Sequence, residues 1–172
     1  MSAGPLPRLL DLRKLTEHGG EVSGVIDLDQ LPRLADFAGD AGQKVEALLR
    51  FFRDEEDRRR IEGEVNTCLQ LTCQRCLAPV ASEIHTQVRL VVVWGEDEIR
   101  QLPEELEPWL AGDEPCTTAS LLEEEILLAL PLVALHDNCR APMQPQTPAA
   151  IVEPAQRENP FSVLAELKKR QD

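Results

Sequence analysis

Two long stretches of alternating polar and apolar residues, about 59–73 and 80–94, flank a Cys-x-x-Cys motif near the middle of the chain. Each stretch gathers its apolar or threonine side chains on one face. These are Ile61, Val65, Thr67, Leu69 and Leu71 in the first stretch, and Ile84, Val88, Leu90, Val92 and Trp94 in the second. A period of two predicts half-buried antiparallel strands. The sequence therefore predicts a long hairpin with Cys73 and Cys76 at its turn.

The rest of the first 139 residues adds a third strand and short helices to this hairpin. The same alternation over about 44–53 extends the hairpin to a three-stranded antiparallel meander. Helical spacing predicts a short helix over 29–38. A capping box from Ser120 to Glu123 begins a second helix over 120–130, which Pro131 ends. The predicted fold is α+β, an antiparallel sheet with a few short helices packed on it.

Composition divides the chain into three parts. Residues 1–139 are predicted to form a single α+β domain, and residues 140–158 are rich in proline and glutamine, which predicts a mobile linker. In the last part, 159–172, Asn159 is a good N-cap, Pro160 a good first helical residue, and Phe161 begins an apolar face. The predicted C-terminal helix ends in Lys168, Lys169 and Arg170. A helix this short is marginal alone in water, so it must dock on its own domain or on a partner.

The charge of the chain is strongly acidic and unevenly distributed. With 18 Lys and Arg against 31 Asp and Glu, the formal net charge is -13, which disfavours binding of nucleic acid over a broad surface. Residues 96–125 carry eleven carboxylates and one base, Arg100. This stretch is either a solvated face or an acidic surface that docks a basic partner.

The sequence also favours a cytoplasmic protein. The first fifteen residues contain no apolar segment of the kind that forms a secretory signal. The longest apolar run, 126–135, is half the length that a membrane-spanning helix needs. In a reducing cytoplasm, metal binding or simple burial is a better explanation of five cysteines than disulfide bonds.

Four residues form a complete candidate set of ligands for Zn(II). Cys73 and Cys76 have the spacing of a zinc knuckle, and His136 and Cys139 supply a second pair about sixty residues later. Two unliganded thiols at a hairpin remain the alternative. A redox role would need the first cysteine at a helix N-terminus, and here a strand follows. Cys68 and Cys116 are interpreted as incidental thiols. No nucleophile or paired carboxylate accompanies His136 and Asp137, so catalysis by that pair is not expected.

Three segments in this order resemble the large ribosomal RNA subunit accumulation proteins, the YceD family. They are Leu71–Val80 (LTCQRCLAPV), Glu124–Pro131 with His136 and Asp137, and Asn159–Lys168 (NPFSVLAELK). The resemblance implies a cytoplasmic, non-enzymatic factor in the synthesis, processing or stability of large-subunit ribosomal RNA. It matches Cys73, Gln74, Arg75, Cys76, His136, Cys139, Asn159, Pro160 and Phe161 to the family pattern. It does not by itself imply a metal.

Two modes of binding follow from the resemblance and the charge together. The preferred one is capture of a basic ribosomal protein or a large-subunit assembly intermediate by the 96–125 stretch, with the C-terminal helix as a capture element. The other is local contact with RNA through Arg75, Arg58–Arg60, Lys168, Lys169 and Arg170. The Arg58–Arg60 run also adjoins Asp54–Asp57, which is typical of a charge-balanced hairpin tip. A thiol-redox or metal-handling protein using Cys73 and Cys76 is the alternative function.

Overall fold

The computed structural model describes residues 4–37, 43–112 and 115–139. All of them belong to one compact unit, Met1–Ala141. The predicted linker over 140–158 and the predicted helical tail over 159–172 lie outside the described residues. The candidate binding residues of that tail therefore stay predictions: Asn159, Pro160, Phe161, Lys168, Lys169 and Arg170.

A five-stranded sheet forms the centre of the fold, in the spatial order β2-β3-β4-β5-β6. Its strands are β2 (Gly20–Asp27), β3 (Lys44–Arg53), β4 (Arg59–Thr72), β5 (Pro79–Val93) and β6 (Glu107–Leu110). The predicted meander of β3, β4 and β5 is confirmed, with each bound within one residue of its prediction. The α+β class is also confirmed. The sheet is mixed, however, because β6 runs parallel to β5 while the other neighbours are antiparallel.

Short elements surround this sheet. The two-residue strands β1 (Leu9–Leu10) and β7 (Cys116–Thr117) pair with each other. The helices are α1 (Leu12–His18), α2 (Glu96–Ile99) and α3 (Thr118–Ala129). The predicted helix over 29–38 was wrong in type, because the chain forms two 3₁₀ helices there, Leu28–Gln30 and Pro32–Phe37. Proline at position 32 suits the start of a short helical turn, where no backbone donor is needed.

The predicted capping box of α3 was also wrong. Thr117 is the N-cap, and its Oγ1 accepts a hydrogen bond from the backbone N–H of Ser120 at 3.1 Å. The chain leaves β7 at Thr117 in an extended conformation. The Thr117 hydroxyl, three residues before Ser120, therefore lies next to the unpaired backbone N–H groups at the start of the helix. The Glu123 carboxylate points elsewhere and accepts from the backbone N–H of Arg33 at 2.8 Å, at the start of the second 3₁₀ helix.

One face of the sheet carries the hydrophobic core, and the helices cover it. Buried side chains alternate along β3 and β4 as predicted. Helix α3 contributes Leu121, Leu122 and Ile126, each fully buried. At the end of β5, Val91 and Val93 are buried together with Val92, so both faces of the sheet are covered there. The core therefore holds the β4–β5 hairpin in a fixed place.

Truncation of a core leucine should be costly. Leu69 and Leu90 are 0% and 2% exposed, so Leu69→Ala or Leu90→Ala should lower the free energy of unfolding by about 2–5 kcal/mol through lost burial and a residual cavity. Urea unfolding of each variant measures this loss. Leu128→Ala is the matched control, because Leu128 is 71% exposed. Equal losses in all three variants would contradict the assignment of this face to the core.

Candidate functional site

The turn between β4 and β5 presents Cys73 and Cys76 as a compact knuckle. The backbone N–H of Cys73 donates to the Ala78 carbonyl, and that of Leu77 donates to the Cys73 carbonyl, both at 2.9 Å. Leu77 adopts a left-handed backbone conformation, with φ of 62°, which reverses the chain before Pro79 begins β5. The two bonds hold both cysteines at one end of the hairpin.

The chain after α3 returns to this knuckle. The Ala134 carbonyl accepts a hydrogen bond from the backbone N–H of Gln74, and the Cys139 carbonyl accepts one from Nη1 of Arg75, both at 2.9 Å. Residues 131–139 contain no helix or strand. These contacts bring His136 and Cys139 to the cysteine pair, and they give Arg75 a local structural role.

The four predicted ligands come together. Their sulfur and nitrogen atoms all lie within 4.8 Å of one another. Sγ of Cys73 and Sγ of Cys139 are 3.5 Å apart, and Sγ of Cys76 and Nδ1 of His136 are 3.4 Å apart. In a tetrahedral zinc site, the bond lengths give about 3.8 Å between two sulfurs and about 3.5 Å between sulfur and nitrogen. The donor set and its spacing therefore fit Zn(II).

The orientation of His136 also suits a ligand. Its Nε2 lies 3.0 Å from the carbonyl oxygen of Pro79, which can only accept, so Nε2 carries the proton. Nδ1 is then left with its lone pair directed at the cysteines. Metal-bound histidines usually donate their other ring N–H to such a partner, which fixes the tautomer and the ring plane.

The electrostatic environment shifts the pKa values of two of the thiols in opposite directions. Burial opposes ionisation of Cys73, but backbone N–H groups of Cys76, His136 and Arg75 outweigh it and lower its pKa to about 5. Burial and the neighbouring sulfurs of Cys73 and Cys76 raise the pKa of Cys139 to about 11. Ionisation of Cys139 is thus opposed at this site, and a bound cation would relieve that opposition.

A lowered pKa at Cys73 is also what a redox role would require. Reactive cysteines of redox enzymes are partly exposed, whereas Cys73 is 0% exposed. A substrate disulfide has no access to its sulfur in this conformation. The other two cysteines lie apart from the cluster, Cys68 exposed on β4 and Cys116 half-buried on β7. Burial of Cys116 raises its pKa, which makes that thiol less reactive.

The arginines at the β3–β4 turn are paired with carboxylates. Arg58 donates to Asp54 at 2.8 Å and to Glu56 at 2.6 Å. Arg60 donates to Glu62 at 3.1 Å, and Arg59 lies 3.7 Å from Glu17. The interpretation as a charge-balanced hairpin tip is therefore supported by these contacts.

The acidic stretch contains two kinds of carboxylate. Glu96 and Asp97 pair with Arg100 at 3.9 and 3.3 Å. Four other exposed glutamates have no ion pair with any described residue: Glu98, Glu104, Glu105 and Glu107. They lie on α2, on β6 and between these two elements. The described part of this surface is thus acidic and largely uncompensated.

Three consecutive glutamates on α3 have different environments. Glu123 is buried and accepts a hydrogen bond from the Arg33 backbone, whereas Glu124 is half-buried and pairs with the Arg33 guanidinium at 2.6 Å. Glu125 is 6% exposed and has no hydrogen-bond or ion-pair partner among the described residues. Burial, followed by repulsion from Glu107 and Glu124, raises its pKa to about 7.

Glu125 should make stability depend on pH. Its pKa rises from 4.5 in the unfolded chain to about 7 in the fold, so ionisation favours unfolding and stability falls between these pH values. Glu125→Gln removes this loss. We expect the variant to match the wild type near pH 4.5 and to exceed it by about 2–3 kcal/mol at pH 8.

Thermal melts near pH 4.5 and at pH 8 test this expectation. At pH 8 the melting temperature of Glu125→Gln should exceed that of the wild type by roughly 5–10 °C. Glu105→Gln is the control, because Glu105 is exposed, and it should change the midpoint little at either pH. An equal gain at both pH values for Glu125→Gln would show that packing, and not charge, is responsible.

Comparisons with known proteins find similar sequences. The family model for "Large ribosomal RNA subunit accumulation protein YceD" matches residues 61–168, more than half of the chain. The chain belongs to the YceD family. A curated Haemophilus influenzae protein with the same name is 30% identical over 169 residues, which cover 96% of this chain and 97% of that protein. No solved structure matches the chain. No helix in the described parts of the chain is long and apolar enough to cross a membrane.

The YceD match confirms the resemblance inferred from three short motifs. Its range contains all four residues of the cysteine–histidine cluster and the whole β4–β5 hairpin from Ile61 onward. Sequence reasoning missed the Pro79 carbonyl that orients His136, since a backbone acceptor leaves no mark in side-chain patterns. It also missed Glu125, because a run of glutamates suggests a solvated face. The position of Glu125 beside Leu121, Leu122 and Ile126 on the helix was the one signal available.

Proposed function

We propose that this protein supports the accumulation of large-subunit ribosomal RNA in the cytoplasm by binding an assembly component, and that it is not an enzyme. The observation that carries the proposal is the YceD relative from Haemophilus influenzae, which aligns over almost the full length of both chains. That relative is named for the accumulation of large-subunit ribosomal RNA, and a shared role of the two proteins is the basis of the proposal.

A basic ribosomal protein is the partner that the charges favour. The exposed glutamates on α2 and β6 lack ion pairs within the described residues, so a basic surface can pair with them. By contrast, Arg58–Arg60 already pair with carboxylates, and Arg75 donates to the Cys139 carbonyl. These arginines have less capacity left for phosphate groups. Contact with RNA is therefore local at most, and the C-terminal residues 159–172 would add a capture element.

We further propose that Cys73, Cys76, His136 and Cys139 hold one structural Zn(II). Four protein ligands complete a tetrahedral set and leave no open position for a substrate or water, which is typical of structural zinc rather than catalytic zinc. The ion would join the β4–β5 turn to residues 131–139. That role is consistent with a binding protein.

Sedimentation of cell extracts tests the binding role. We expect the wild-type protein to co-sediment with precursors of the large subunit and to dissociate as salt is raised, since contacts between exposed charges are screened. A variant that ends at Glu158 tests the tail. Loss of binding in this variant would make residues 159–172 the capture element, and retained binding would place the contact on the 1–139 domain. Absence of the wild-type protein from all ribosomal fractions would contradict the proposal.

A thiol-redox function is the second candidate, and the low pKa of Cys73 is the observation in its favour. It predicts that the reduced, metal-free protein reduces a small disulfide substrate and that Cys73→Ser does not. The binding proposal predicts an unreactive pair that retains metal. Assay of disulfide reduction with and without added zinc separates the two functions.

A further inference from the structure

We propose that the cysteine–histidine cluster exchanges its zinc ion for a disulfide bond between Cys73 and Cys139 when the protein meets a hydroperoxide. The metal leaves, and the covalent bond holds residues 131–139 on the β4–β5 turn in its place. The inference rests on the proposed zinc site and adds an oxidised state to it.

The contacts inside the cluster divide its four side chains into two pairs. Sγ of Cys73 and Sγ of Cys139 lie 3.5 Å apart. The third sulfur, that of Cys76, lies within 4.8 Å of both, but it contacts Nδ1 of His136 at 3.4 Å. One pair is therefore two sulfurs in contact, which need only approach to about 2.05 Å to form a disulfide. The other pair is a sulfur and an imidazole, which form no such bond.

The exposure of the two paired thiols decides how oxidation begins and ends. Cys139 is half-buried, so a small hydroperoxide reaches its sulfur, whereas Cys73 is 0% exposed. A thiol buried to that degree does not meet the thiol of a second molecule. A sulfenic acid on Cys139 therefore has the Cys73 sulfur as its neighbour at 3.5 Å, and the product is an intramolecular disulfide.

The backbone around the two cysteines allows this bond to form. Cys73 directly follows β4, whose pairing with β3 and β5 fixes its position. Residues 131–139 contain no helix or strand, so Cys139 is the partner that moves. The Arg75 guanidinium donates to the Cys139 carbonyl and keeps that residue beside the turn. The approach of the two sulfurs therefore breaks no element of the fold.

The chemical steps balance with hydrogen peroxide as the oxidant. The Cys139 thiolate attacks one peroxide oxygen, the O–O bond breaks, and the products are a sulfenic acid and hydroxide. The Cys73 thiolate then attacks the sulfenic sulfur, forms the S–S bond and releases a second hydroxide. Each sulfur gives up one electron and the peroxide accepts two, while Zn(II) keeps its oxidation state. Only Cys76 and His136 remain as ligands, which is half of the set that structural zinc requires.

The disulfide should keep most of the stabilisation that zinc provides. Cys73 and Cys139 are 66 positions apart in sequence, and a cross-link that closes so long a loop strongly restricts the unfolded chain. Peroxide should therefore lower the melting temperature by less than about half as much as a chelator does. A bond between Cys73 and Cys76 would leave residues 131–139 unattached, so that peroxide and chelator would lower it equally.

Peroxide treatment of the zinc-loaded full chain tests the exchange. We expect release of zinc, measured with a metal-sensitive dye, and a cross-linked peptide that joins Cys73 to Cys139 in mass spectra without reducing agent. Trypsin cleaves after Arg75, so it separates Cys73 from Cys76 and distinguishes the two cross-links. Cys68→Ser is the matched control, because Cys68 is exposed and outside the cluster, and it should behave as the wild type does. A cross-link from Cys73 to Cys76, or release of zinc without any disulfide, would overturn the inference.

Two serine variants test the pairing without relying on zinc. Cys76→Ser lacks one ligand but keeps Cys73 and Cys139, so peroxide should raise its melting temperature through the cross-link. Cys139→Ser also lacks one ligand but cannot form the proposed bond, so peroxide should leave its melting temperature unchanged. If both variants respond equally, the assignment of the disulfide to Cys73 and Cys139 is wrong.

Metal analysis separates this inference from the zinc site on which it rests. If the chain retains its zinc in peroxide and forms no disulfide, the exchange is wrong and the zinc site stands. If the chain binds no zinc before treatment, the zinc site and the exchange are both wrong. Release of zinc together with the Cys73–Cys139 bond supports both.

Discussion

Removal of the proposed zinc ion should lower the melting temperature of this protein by about 8–16 °C. A ligand that binds only the folded state at a thousand times its dissociation constant contributes about 4 kcal/mol. Each kcal/mol corresponds to about 2–4 °C for a chain of this size. The ion would fasten residues 131–139, which have no helix or strand of their own, to the β4–β5 turn. Thermal melts with and without a chelator measure the shift, and metal analysis gives the zinc content per chain.

Two serine variants distinguish the proposed site from the other thiols. Cys76→Ser removes one of the four ligands, so it should bind zinc poorly and melt as the chelated wild type does. Cys68→Ser removes an exposed thiol outside the cluster and should retain both the metal and its stabilisation. With cobalt in place of zinc, the wild type and Cys68→Ser should show sulfur-to-metal absorption, and Cys76→Ser should not. Equal zinc contents in all three proteins would contradict the assignment.

The strands that sequence analysis located correctly share one property. Strands β3, β4 and β5 each carry ten or more residues, with one face in the core, so a period of two persists long enough to be recognised. Strand β6 has only four residues, one of them Pro108, and lies at the edge of the sheet among acidic residues. Its pairing with β5 depends on residues far away in sequence, and no local pattern records that pairing.

The contrast between local patterns and contacts distant in sequence also separates the predicted site residues from the missed ones. Cys73, Cys76, His136 and Cys139 were predictable because ligand chemistry restricts residue types, and the structure brings all four together. The N-cap of α3 was misplaced because two hydroxyl residues, Thr117 and Ser120, both suit the role. The conformation in which β7 enters the helix decided between them. Sequence thus reveals side-chain chemistry better than it reveals the backbone path that positions it.

Gly63→Ala should destabilise the protein by at least about 3 kcal/mol, a large effect for one methyl group. A Cβ at position 63 would overlap the carbonyl oxygen of Leu48 and lie 2.9 Å from its carbonyl carbon. Those atoms belong to the backbone of β3, which pairs with β4 on one side and with β2 on the other. They cannot yield as the end of a flexible side chain would. Urea unfolding measures the loss.

Gly95→Ala is the matched control, since the nearest atom to its added Cβ is 4.0 Å away and its φ of -151° is ordinary extended backbone. We expect it to change stability by less than about 1 kcal/mol. Strand β4, which contains Gly63, ends at Thr72, directly before Cys73. A displacement of β4 at Gly63 would therefore also affect the proposed metal site. If β3 and β4 must separate around the added methyl group, the melting temperature of Gly63→Ala should fall even with zinc in excess. A loss no larger than that of Gly95→Ala would mean that the close approach of β3 to β4 is not a constraint on the fold.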